Sequence, residues 1–212
     1  MAHEHDHHDH DHDDHDHDHD DHDHGDDHDH DESPEARAEF ERDLIRRHAL
    51  AQVRQYPDVA LRMKAKEVTE FDDDLVELAE RMEHLMADAQ GVGLAATQVG
   101  LLQRVFVFEH DEEGTKTVVN PSIVDRSGET ETDSEGCLSL EGIRVPVERN
   151  VKVTLEGLDA SGGEVKLTLE GMNARVVQHE LDHLDGILIL DRTDDEHRKE
   201  ALGLLRPQPA LR

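Results

Sequence analysis

Apolar positions follow two rhythms from residue 33 onward. Over 72–91, DDDLVELAERMEHLMADAQG, the residues Leu75, Leu78, Ala79, Met82, Leu85, Met86 and Ala89 recur three and four apart. That spacing lines one face of a helix and predicts core packing. Asp72 to Asp74 fall where the helix dipole favours anions, and Gly91 falls where the helix should end. Upstream, Ser33-Pro34-Glu35 places a capping hydroxyl before a proline at the first helical position. A charged helix is predicted from there to about Val53, closed by a turn at Tyr56-Pro57-Asp58.

Beyond Gly91 the rhythm shortens. RVFVFE (104–109), KTVVNPSIV (116–124), VKVTLEG (151–157) and EVKLTLE (164–170) are rich in Val, Ile, Thr and Phe with partial alternation, which predicts strands. LDASGGEV reads as the hairpin turn between the last two, and a further helix is predicted from about Met172 to Asp185, stopping at Gly186. The closing RPQPALR should fray. The expected fold class is α+β: mostly antiparallel strands packed around a C-terminal helix and preceded by an amphipathic helix. The expected organisation is a tail over 1–32, a charged helical extension over 33–49, a catalytic domain over 50–195 and a C-terminal extension over 196–212.

The tail changes how composition is read. It holds 13 of the 19 histidines and 16 of the 53 acidic residues, without Lys or Arg. The whole chain carries −31; removing the tail leaves 37 acidic against 22 basic residues, a net −15. A segment with only Met1 and Ala2 as apolar residues cannot offset the entropy of ordering, so disorder is expected there. The acidic body argues against nucleic acid as partner and against anionic membranes. The apolar runs are too short to span a bilayer. No secretory signal is read at the N-terminus, and one cysteine, Cys137, forbids an internal disulfide. A cytoplasmic setting is expected.

Three segments carry candidate chemistry. In QHELDHLDG, His179 and His183 are four apart, one turn of a helix, so both imidazoles can reach one metal ion. Glu180 projects nearby, placed to act on a bound water. The plain alternative is a solvated helix face that happens to carry two histidines. A catalytic site of this kind wants three protein ligands and one open position. EGCLSL offers Cys137 as the third. Alone it would read as a small buried core residue; beside HExxH, a Cys-His-His set is the better reading. GVGLAATQVG has small residues that permit close backbone approach, and a single amide, Gln98. It lacks the Lys-Ser/Thr of a phosphate loop.

In this order, GVGLAATQVG, EGCLSL and QHELDHLDG resemble the three signature motifs of peptide deformylases, with YPDVALR near the start of the domain. The resemblance covers about residues 50–195. It implies removal of formate from the N-terminal formyl-methionine of new polypeptides. It implies Cys137, His179 and His183 as ligands of one divalent metal, with Fe(II) as the native ion and Zn, Ni or Co able to substitute. Glu180 would be the catalytic acid and base. Gln98 and the backbone N–H of Leu138 would hold the oxyanion, while Val92, Gly93 and Arg144 would face the substrate. Many relatives carry Pro where Glu141 follows Leu140 here.

Other readings stay open. An HExxH metalloprotease would take its third ligand downstream, where Glu196 and His197 stand. A metal-buffering protein would work through the His-rich tail, which could hold extra metal ions. A family member that binds formylated chains without turnover is a third. The ribosome is a possible partner, although the acidic body offers no basic docking helix.

Overall fold

The computed structural model describes residues 33–205. The expectations for the tail and for RPQPALR lie outside the described residues. Helix α1 spans Pro34–Leu50, with the Ser33 hydroxyl accepting from the Ala36 N–H at 3.2 Å. It ends before the expected Val53 because the chain turns there toward the middle of the molecule, and the Arg54 N–H donates to the Gln98 carbonyl. Helix α2 spans Asp73–Asp88, and Asp72 caps it by accepting from Leu75. The stripe read from the sequence is the buried face.

Seven strands follow: β1 (Gly93–Ala95), β2 (Val105–His110), β3 (Gly114–Arg126), β4 (Thr130–Gly136), β5 (Arg144–Asn150), β6 (Lys152–Leu158) and β7 (Glu164–Glu170). Five form an antiparallel sheet in the order β1-β2-β3-β6-β7, and β4 and β5 form a separate hairpin. Helix α3 spans Gly171–Leu184, followed by the single turn α4 (Ile189–Arg192) and helix α5 (Asp195–Leu204). The α+β expectation holds.

The setting of strand β2 explains why its first four residues, Val105 to Phe108, are apolar without a break. Val105 and Val107 pack on the α2 side with Leu78, Met82 and Met86. Phe106 and Phe108 pack on the other side with Ala174, Val177 and Leu184 of α3. A strand covered on both faces has no polar positions to alternate. The hairpin has its own core: Leu140, Ile143, Val145 and Val147 meet Ile189, Leu190 and Ala201. The segment read as a C-terminal extension therefore begins as a helix that covers this hairpin.

Strands β1, β4 and β5 were not expected from the pattern. β4 is TETDSEG, exposed along most of its length, and β5 carries Pro146. β1 is three residues long. In β3 the pairing with β6 slips at Asn120, which takes φ 51° and clamps Val68 through both its amide oxygen and its amide nitrogen. Among the described residues, no helix is long and apolar enough to cross a membrane.

Candidate active site

The three motif segments meet around the middle of α3. GVGLAATQVG supplies edge strand β1 and then a 3-10 turn, Ala96–Val99, that carries Gln98. EGCLSL leaves the end of β4 and places Cys137 just after Gly136. The chain after α1 ties the two loops together. Besides the Arg54–Gln98 bond, the Tyr56 N–H donates to the Ser139 carbonyl and the Gln55 side chain donates to the Leu138 carbonyl. Gly186 ends α3 at φ 74°, where a Cβ would lie 2.6 Å from the Arg62 carbonyl; only glycine fits there.

The candidate ligands converge. One donor atom each from Cys137, His179 and His183 lies within 4.8 Å of the others, and Cys137 Sγ is 3.2 Å from His183 Nε2. They are the only group of three or more His, Cys, Asp or Glu poised in this way among the described residues. A thiol and two imidazoles suit Zn geometrically and also accept ferrous iron, so the residues present fit a divalent metal. By contrast His197, on α5, bonds Asp194 at its own helix start. In the metal-free protein, burial acts to lower the His179 pKa, but the Cys137 thiol and Glu135 overcome it and hold the ring well above its usual range. Burial and the neighbouring His179 push His183 well below it. A cation binding here would replace that His179 proton.

His179 is oriented from behind. Its Nδ1 lies 3.0 Å from Glu135 Oε2, which leaves Nε2 for the Cys137 side. Glu135 is buried and accepts from Arg149 at 2.9 and 3.0 Å and from Arg175 at 2.9 Å. Arg149 also reaches Asp182 at 2.5 Å, which in turn holds Arg192 of α4. Burial works to raise the Glu135 pKa, but His179 and Arg149 hold it down at about 2. A carboxylate kept ionised behind a metal-facing imidazole fixes its tautomer and ring angle. Sequence reading missed Glu135, Arg149, Arg175 and Asp182. The available signal was the pair of acidic residues inside the motifs themselves, EGC and HELDH.

Glu180 stands apart from this network. It is 3% exposed, and its Oε2 has no hydrogen-bond partner. Burial pushes its pKa up to about 7, against the pull of His179. It lies against Gly93: a Cβ built there would fall 2.3 Å from Glu180 Oε1. Gln98 is buried and set in orientation. Its Oε1 accepts from the Ala95 N–H at 2.9 Å, and its Nε2 donates to Ser139 Oγ at 3.1 Å and faces Cys137 Sγ at 3.7 Å.

A cavity of about 550 Å³ opens over these groups. Val92, Gly93, Gln98, Cys137, Leu138, Arg144, His179 and Glu180 all line it, while His183 lies beneath, 1% exposed. Val92 and Met172 present exposed apolar surface at the mouth. Arg144 is steadied by the Ser134 carbonyl at 2.8 Å and hydroxyl at 3.3 Å. All nine residues singled out in the sequence are thus brought to one place.

An α+β fold that gathers a thiol, two imidazoles and a buried, unpaired carboxylate on an HExxH helix defines a class: small hydrolases built on a Cys-His-His centre. Known proteins agree. The family described as polypeptide deformylase matches residues 50–199. The chain belongs to the peptide deformylase family. A peptide deformylase of Natranaerobius thermophilus is 43% identical over 152 residues, spanning 72% of this chain and 97% of the relative. Peptide deformylase 1 of Corynebacterium efficiens is 45% identical over 157 residues, spanning 73% and 93%. Among solved structures, the peptide deformylase of Thermus thermophilus superposes with a TM-score of 0.68 at 43% identity, covering 72% of this chain and 91% of that one.

Proposed function

We propose that the protein hydrolyses the formyl group from the N-terminal formyl-methionine of newly made polypeptides in the cytoplasm. The observation that carries this reading is the convergence of Cys137, His179 and His183 beside the unpartnered Glu180 carboxylate, in a cavity edged by Gly93 and Gln98. The three donors would hold one divalent ion, with Fe(II) as the native metal and Zn, Ni or Co as substitutes. Such an ion supplies a water of pKa near about 7 and polarises the formyl carbonyl.

The remaining work falls to side chains. Glu180 takes a proton from the attacking water and passes it to the leaving amine nitrogen, a role that suits a carboxyl with a pKa near neutrality. Gln98 Nε2 and the Leu138 N–H donate to the oxygen that gains charge as the carbonyl is attacked. Each such donor is worth on the order of a hundred-fold in rate. Strand β1 is the edge of its sheet, so a substrate backbone can add beside Gly93 as a further strand. Main-chain pairing reads no side chain, which suits substrates that share formyl-Met and then differ. Val92 and Arg144 flank that path.

The test is formate release from formyl-Met-Ala-Ser by wild type and by Glu180→Ala. Equal rates would overturn the reading. Cleavage of internal peptide bonds alone, surviving Cys137→Ala, would favour the metalloprotease reading instead. The tail adds a second proposal: its thirteen histidines bind divalent ions loosely and raise their local concentration near the site. Equal rates of metal reloading from a chelator by the full chain and by a chain lacking residues 1–32 would refute that. Docking near the ribosomal tunnel exit belongs to the same picture and is tested by co-sedimentation with ribosomes.

A further inference from the structure

The family match begins at residue 50, the last residue of α1, so nearly all of that helix lies outside it. Yet α1 contributes a side chain to the active-site cavity. Arg46 lines it together with Leu138, Leu140 and Arg144. Its Nη1 lies 3.4 Å from Glu141 Oε1, with the two side chains 34% and 58% exposed. Glu141 follows the Cys137 loop directly, so the added helix grips the rim of the groove.

The charges along the cavity are divided by depth. Its two carboxylates are at the bottom: Glu135 is held by Arg149 and Arg175, and Glu180 is buried at the reacting centre. Near the opening stand two guanidinium groups: Arg46, which faces the exposed carboxylate of Glu141, and Arg144, which is held by Ser134. Outside the tail the chain carries a net −15, so this rim reverses the prevailing charge. A second surface depression, between α2 and residues 67–72, is lined by Glu67, Glu70, Asp72, Asp74 and Glu77 against Arg81 alone. The Arg46–Glu141 pair is long and half in water, so it holds Arg46 in place without using up its five donors.

We infer that Arg46 is a specificity-determining residue that favours formylated chains carrying Asp or Glu shortly after the methionine. The inference rests on the deformylase reading and adds a charge preference to main-chain recognition that otherwise reads no side chain. A carboxylate on the emerging substrate meets Arg46 at the groove rim, and a lysine there meets it unfavourably.

The experiment compares kcat/KM for formyl-Met-Ala-Glu-Glu, formyl-Met-Ala-Ser-Ser and formyl-Met-Ala-Lys-Lys. The acidity of the whole chain repels acidic peptides in every variant, so the quantity read is the change in the Glu-to-Ser ratio. Arg46→Ala lowers that ratio about two- to five-fold, as expected for a partly exposed ion pair. Arg46→Glu lowers it further and raises the relative rate on the Lys peptide, Arg46→Lys preserves it, and added salt erases the wild-type difference. An unchanged ratio in Arg46→Glu would overturn the inference, even if that variant were less stable. Absence of formate release from every peptide by wild type would instead overturn the deformylase reading beneath it.

Discussion

Gly93 and Glu180 touch so closely that the glycine's missing side chain is the space the carboxylate occupies. An ideal Cβ at Gly93 would lie 2.3 Å from Glu180 Oε1 and 2.8 Å from its Cδ. Gly93→Ala therefore has to displace Glu180, which is boxed in by burial. A displacement of about 1 Å of a catalytic group can cost on the order of a hundred-fold in rate. Gly93→Ala should lower kcat by about that factor while binding metal as wild type does. Formate-release kinetics alongside metal analysis checks this; a variant of normal kcat would mean that the carboxylate has room the structure does not provide.

Glu135 supports His179 from behind, and its removal should be felt in metal affinity before anything else. Glu135→Ala deletes the acceptor at Nδ1 and leaves Arg149 and Arg175 without their shared anion. Loss of such an outer partner weakens metal binding by about 10- to 100-fold, and leaving buried charge unpaired destabilises the fold by about 3–5 kcal/mol. Glu135→Gln keeps an acceptor and should bind metal better than Glu135→Ala. Chelator competition with Zn or Co, paired with urea unfolding, separates the two effects.

Much of this was legible in the sequence because periodicity reports burial. The α2 stripe, strands β2, β3, β6 and β7, and helix α3 all bury apolar faces, and their patterns gave them away. β4 and β5 did not, since β4 is nearly all polar and the hairpin's core comes from α4 and α5 far along the chain. Cys137, His179, Glu180 and His183 were found because HExxH spacing and a lone cysteine constrain each other; Gln98, Leu138, Val92, Gly93 and Arg144 came only through the resemblance of the three motifs to peptide deformylases. Glu135, Arg149 and Asp182 were not, because a charged residue looks solvated until its partners, 14 and 33 residues away, are brought to it. Arg46 was hidden for the same reason: only the docking of α1 brings it to the cavity.

Glu180 should cost the metal-free protein stability at neutral and alkaline pH. Its folded pKa of about 7 exceeds the ordinary 4.5. The unfolded chain therefore releases the proton first as pH rises. Stability attributable to this group is intact below about pH 4.5 and falls as pH rises to 7, by on the order of 3 kcal/mol. Glu180→Gln, which cannot ionise, should unfold at higher urea than wild type at pH 8 in chelator, with little difference at pH 5. An equal gap at both pH values would mean that the carboxyl is better solvated than its burial implies.

Cys137 is the test of whether the sulfur is a ligand or only a buried neighbour. As a core residue it would be a small apolar body beside Tyr56 and Leu140, and Cys137→Ala would cost modest stability with metal retained. As a ligand it supplies one of three donors, and two imidazoles alone hold a divalent ion far more weakly. Chelation of the wild-type protein should abolish formate release, and adding back Co, Ni or Zn should restore it. Cys137→Ala should show no such recovery at metal concentrations that saturate wild type. The Co-loaded wild type should also show a sulfur-to-metal charge-transfer band that Cys137→Ala lacks. Because that band reports the Sγ–metal bond directly, its presence separates ligation from packing even if the variant is inactive for other reasons.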